Sequence, residues 1–178
     1  MKNSYLQELS LALKREGLAI GAETEDGSLP VEPEGKPLCL VTPTGAVKHQ
    51  REDVADDAGA QVLDRVTELA YTVAVYTRQM GAAPFLTASG LGGSYRLLAE
   101  FNGIVLAGRP TEYGVQFITW ARDADGDGVH WGHYHGFGAD SYTAAKQDFA
   151  VRSGLVPHSA LFAQKEEPSQ EQGGIQLC

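Results

Sequence analysis

The sequence predicts an α+β fold: a small antiparallel β-meander of about four strands with helices packed on one face. Three observations carry that prediction. Apolar residues recur at three- and four-residue steps through the middle of the chain, then change to a strand-like period after about residue 93. Asn102-Gly103 sits between two apolar runs, and both positions tolerate positive φ, the strongest short-range hairpin signal. Strands spaced this closely leave no room for crossover helices, so they must run antiparallel.

Taken in order, the first element is a short helix. Ser4 and Gln7 form a capping-box pattern, Leu6, Leu9 and Leu13 make one stripe, and Gly17 is placed to stop it. Residues 18–50 are rich in Gly, Pro and acids; the only strand expected there is "PLCLVTP" around Leu40, the rest being irregular connection. From about Asp53 to Met80, Val62, Val66, Leu69, Ala70, Val73, Tyr76 and Met80 define the longest helix, with Gly81 as its expected stop. "GAAPFLTASGLGG" is a linker. Four strands follow at roughly 94–100, 103–108, 114–121 and 129–136. The final helix is expected to be capped by Asp140 or Ser141, with Tyr142, Ala145 and Phe149 on one face and Gly154 after its end. The organisation is a helical region 1–92 containing the 18–50 linker, a meander-plus-helix unit 93–164, and a flexible tail 165–178, all in one compact domain.

Fourteen basic against twenty-three acidic residues give a formal net charge of −9. That excludes generic phosphate-backbone binding, which needs a Lys/Arg surplus, and is compatible with an acidic surface that meets a basic partner. Two distant cysteines, Cys39 and Cys178, form no disulfide framework and no C-x-x-C, as expected of a cytoplasmic protein. No signal peptide or membrane span is expected.

The chemically densest stretch is "DADGDGVHWGHYHGFGAD", Asp123–Asp140. Asp123, Asp125, Asp127 and Gly128 begin like a calcium loop. Position twelve, however, is Tyr134 where a bidentate Glu belongs, and strand-like sequence flanks the loop instead of helices. The stretch instead predicts a hairpin turn, with Asp-Gly offered twice, at Asp125-Gly126 and Asp127-Gly128; a turn centred on the first sets Trp120 opposite Trp131 and Ile118 opposite His133. His133 and His135 share a strand face with Val129 and Trp131 in simple alternation. As a His-x-His pair they would ligate zinc or iron if Asp140, His158 or Glu112 supplied a third group. "GLGGS" (Gly90–Ser94) precedes a strand and lacks Lys-Ser/Thr, so it is no phosphate loop. Cys39 has only His49 as a nearby histidine. No basic recognition helix suggests a transcriptional regulator.

The block "GSYRLLAEFNGIVLAGRPTEYGVQFITW", with "GVHWGHYHG", "AKQDFAVRSGL" and "ALF", resembles uncharacterised accessory proteins of conjugative and mobile elements in gut Firmicutes, over about residues 93–162. That resemblance carries no activity and no catalytic or binding residues. It implies an accessory protein of a mobile element. The expectation is therefore a non-enzymatic interaction protein without cofactor, contacting a protein partner such as a basic nucleic-acid-binding enzyme. Neither nucleic acid nor membrane is expected to be bound directly. Its contact residues are expected to be Trp120, Asp123, Asp125, Asp127, Trp131 and Tyr134. The alternative expectation is a metal-dependent enzyme built on His133, His135 and a carboxylate. Clustering of Glu52, Asp53, Asp56 and Asp57 with the Asp123–Asp127 turn would favour an acidic inhibitor of a host defence enzyme.

Overall fold

A computed structural model describes residues 3–157 and residue 159. The expected tail 165–178 and His158 lie outside the described residues. The architecture is α+β, with a three-stranded and a four-stranded antiparallel sheet and three α-helices.

Helix α1 spans Ser4–Arg15. Its N-cap is Asn3, whose side chain accepts from the Tyr5 amide, and not the Ser4–Gln7 box. At its other end Gly17 (φ 74) supplies the left-handed residue. Gly17 N–H bonds the Lys14 carbonyl and Leu18 N–H the Leu13 carbonyl, a Schellman closure. Segment 18–50 is more regular than expected. It holds β1 (Leu29–Val31), β2 (Cys39–Val41) and β3 (Val47–Lys48), paired in that order, and only β2 was legible in the sequence. Two- and three-residue strands are too short to show alternation, yet Leu29, Val31, Cys39 and Val41 are buried in the main core.

Helix α2 (Asp57–Ala82) starts four residues later than the sequence suggested, after a 3-10 turn at Glu52–Val54. The Asp56 carboxylate caps the Gly59 amide at 2.6 Å. Gly81 lies inside the helix without positive φ; the stop comes from Pro84, which forces Ala83 into an extended conformation (ψ 144). The face made by Val66, Leu69, Ala70, Val73 and Tyr76 is buried as the periodicity required.

The meander follows in the order β4 (Arg96–Phe101), β5 (Ile104–Thr111), β6 (Gly114–Arg122) and β7 (Val129–Phe137). Asn102 (φ 49) and Gly103 (φ 71) form the predicted tight turn. Helix α3 (Gly138–Arg152) begins directly after β7, with Phe137 at the N-cap position and no side-chain cap, so Asp140 falls in its first turn.

All three helices pack on one face of the meander. There Leu106, Val115 and Phe117 join Leu9, Leu13, Tyr76 and Tyr142. The opposite face carries a second, smaller core of Val105, Ala107, Ile118 and Trp120, covered by Leu86 and Tyr95 of the segment entering β4. β6, buried on both faces, is the centre of the protein. No helix among the described residues is long and apolar enough to cross a membrane.

Candidate functional site at the edge of the meander

β7 forms one edge of the four-stranded sheet and contains the middle of the Asp123–Asp140 stretch, with its three histidines. Its turn differs from the two-residue type expected. Asp123–Gly126 is a turn closed by Gly126 N–H to the Asp123 carbonyl (2.9 Å). The whole loop is closed by Asp123 N–H to the Gly128 carbonyl (3.0 Å). Only Gly126 (φ 79) has positive φ there. The aspartates act locally. Asp123 bonds His130 Nδ1 at 2.5 Å and covers Gly128, while Asp125 accepts the Asp127 amide at 3.1 Å. This is the hydrogen-bonding habit of short acids in turns. The loop is further tied down by Ser89 N–H, which donates to the Asp127 carbonyl at 2.7 Å.

The register also differs. Ile118 faces Tyr134, Thr119 faces His133 and Ala121 faces His130, leaving Trp131 and Gly132 together opposite Trp120. This bulge exists because Trp120 needs room: a Cβ at Gly132 would lie 2.5 Å from Trp120 Nε1. A bulge reverses the side-chain alternation beyond it. His130 therefore shares the helix-side face with His133, while Val129 turns to the second core.

The two tryptophans accordingly part company. Trp120, expected at the contact surface, is 4% exposed and packs edge-on against Tyr95 at 5.0 Å, so it is a core residue. Trp131 is 77% exposed and Tyr134 64% exposed. Trp131 holds φ 50, a left-handed conformation that a bulky residue adopts only when its surroundings impose it. Here the bulge imposes it, with the Arg152 guanidinium bonding the Trp131 carbonyl at 2.7 Å and the His130 ring edge-on at 4.5 Å.

His133 and His135 both reach Asp148 on α3. His133 Nδ1 lies 3.0 Å and His135 Nε2 3.2 Å from its Oδ2, which also accepts from the Thr119 hydroxyl. Arg152, one turn on, stands 3.8 Å from that oxygen and donates to the Thr119 carbonyl (3.1 Å) and hydroxyl oxygen (2.9 Å). Burial raises the Asp148 pKa, but the Thr119 and His133 hydrogen bonds and the histidine charges outweigh it, leaving the carboxyl below its usual range. The carboxylate that meets the histidines is therefore neither Asp140 nor Glu112. Asp140 pairs with Arg65 at 3.0 Å, and Glu112 lines a groove at the other end of the sheet. Asp148 and Arg152 were missed; their one sequence signal is the i, i+4 acid–base spacing on a helix.

Chemically the cluster is a brace between β7 and α3. Three cationic or potentially cationic groups surround one carboxylate, and no group of three His, Cys, Asp or Glu is arranged to hold a metal among the described residues. The Thr119 hydroxyl is buried and already donates to Asp148, so it offers no nucleophile. Cys39 is buried too. Burial pushes its thiol up to about 11, and the Nδ1 of His49 lies beside the Gln50 carbonyl instead. Comparison with protein-family models, with curated proteins and with solved structures gives no match for this chain.

Proposed function

We propose that the protein is a non-enzymatic interaction protein acting in the cytoplasm as an accessory of a mobile element, and that the β7 edge is its contact surface. The observation that carries this reading is Trp131: a large apolar side chain, 77% exposed, held in a left-handed backbone conformation by a bulge and by Arg152. Exposed, rigid aromatics are the usual anchors of protein interfaces. Tyr134, on the same strand, is 64% exposed as well. The resemblance of residues 93–162 supports the mobile-element setting.

Charge supports a basic partner, such as a nucleic-acid enzyme of the host, through the net charge of −9 and through the exposed Asp125 and Asp127 in the turn that leads into β7. The stricter idea of one acidic face imitating a phosphate backbone receives less support. Asp123 is engaged with His130. Asp57 starts a helix whose Arg65 meets Asp140 beyond the Phe137 end of β7, and the turn lies at the Val129 end. No hydrogen bond or ion pair joins the two acidic groups among the described residues.

The test is capture of host proteins on the purified chain at low and high salt, with Trp131→Ala and Tyr134→Ala as comparisons. Expected is a basic nucleic-acid enzyme retained at low salt, released at high salt and lost with Trp131→Ala. Retention that ignores salt and both substitutions, or no retention at all, refutes the proposal.

A further inference from the structure

At the end of the sheet away from the Asp123–Gly128 turn, α1, the last turns of α2 and the β5–β6 turn enclose a groove of about 650 Å³, within the range of small-molecule sites. Its floor is apolar, formed by Leu11, Met80, Pro110 and Val115. Into it faces Glu8, a carboxylate only 9% exposed.

Packing does not require a charge there. The Glu8 Oε2 accepts from the Tyr76 hydroxyl at 2.8 Å, a bond that a glutamine would also make. Burial, and then the adjacent Glu8 charge, pushes the Tyr76 pKa upward, so the phenol stays a donor. Arg15 lies close by but is turned to the Tyr113 carbonyl, and no ion pair joins it to Glu8 among the described residues. The second oxygen, Oε1, makes no hydrogen bond to the described residues. No buried side-chain oxygen is left unpartnered among the described residues, so Oε1 keeps contact with solvent, and Glu8 lines the groove. A nearly buried carboxylate with one oxygen free is costly unless something charged meets it.

At the mouth stands Lys14, exposed and without an ion pair among the described residues. Arg96, on the far wall, is engaged by the Ala83 carbonyl and the Phe85 ring. The groove thus offers the nearly buried Glu8, the exposed Lys14 and Glu112, and apolar residues among them.

We propose that this groove binds a small zwitterion of the α-amino-acid class. Its ammonium meets Glu8 Oε1, its carboxylate meets Lys14, and its apolar side chain lies over Leu11 and Met80. The site is separate from the β7 edge and does not depend on the function assigned to it.

The test is titration calorimetry of the full chain with each of the twenty standard amino acids, followed by the N-acetyl form and the methyl ester of the best binder. Expected is preference for an apolar amino acid, with affinity reduced about tenfold or more by capping the ammonium, the size of one lost charge-assisted hydrogen bond. Glu8→Gln should cause the same loss while melting no lower than the parent, because the Tyr76 bond survives and a buried charge is removed. Lys14→Gln, an exposed change that leaves the core intact, should weaken the amino acid but not its ester. No binding by any amino acid at millimolar concentration overturns the proposal. So does equal binding of the N-acetyl form, or undiminished binding by Glu8→Gln.

Discussion

Gly132→Ala is the sharpest test of why β7 bulges where it does. Gly132 has no positive φ, so alanine brings no backbone penalty and the effect is purely steric. The added Cβ would stand 2.5 Å from Trp120 Nε1 and 2.9 Å from its Cδ1, closer than carbon packing permits. Trp120 cannot swing outward, because Tyr95 lies edge-on against it and it packs with Val105, Ala107 and Ile118 in the second core. Overpacking of this kind costs about 1–3 kcal/mol. For a chain of this size that is a drop in melting midpoint of roughly 2–12 °C, at about 2–4 °C per kcal/mol. Urea unfolding followed by tryptophan emission measures it directly. Gly81→Ala is the matched control, since Gly81 sits inside α2 with nothing within 4 Å of its new methyl. It should gain about 0.5–1 kcal/mol from helix propensity. A Gly132→Ala protein within about 0.5 kcal/mol of the parent, the scatter of a neutral surface change, would show that Trp120 does not set the bulge.

Three further outcomes follow from the same geometry. Arg152→Met strips a donor from the Trp131 carbonyl and from the carbonyl and hydroxyl oxygens of Thr119, removes the charge beside Asp148, and should cost about 1.5–3 kcal/mol by chemical denaturation, as for hydrogen bonds involving a charged group. Asp148 is held below its ordinary pKa of 3.8 in the folded state. Its stabilisation is therefore complete above that value and lost as pH falls through the lower folded pKa. Asp148→Asn should be less stable than the parent at neutral pH, the gap closing below about pH 4; parallel stability–pH curves would contradict this. Trp131→Gly relieves left-handed strain that costs of order 1–3 kcal/mol while removing an exposed ring. It should therefore melt at or above the parent temperature yet lose partner capture. Loss of stability there would make Trp131 a structural residue.

Much of the fold was legible because its signals are local. The Asn102-Gly103 turn, the buried stripes of α2 and α3 and the four meander strands follow from periodicity and from residues that tolerate positive φ, which neighbours in sequence supply by themselves. Gly81 misled because nothing local distinguishes a helical glycine from a terminal one; the extended residue before Pro84 decided the end. β1 and β3 were hidden because strands of three and two residues display no alternation and form only when β2 pairs with them.

The candidate site divides along the same line. The sequence by itself determined the aromatic and histidine content of β7, the edge-forming meander and a turn built from short acids. Only tertiary structure decided which tryptophan is core and which is surface, because the volume of Trp120 against Gly132 sets the bulge and the bulge reverses every side chain beyond it. Long-range packing alone brought Asp148 and Arg152 of α3 beneath His133 and His135, and placed Glu8 of α1 over the Tyr76 hydroxyl. Those contacts join residues 13–68 positions apart, and no period within one element encodes a meeting between two.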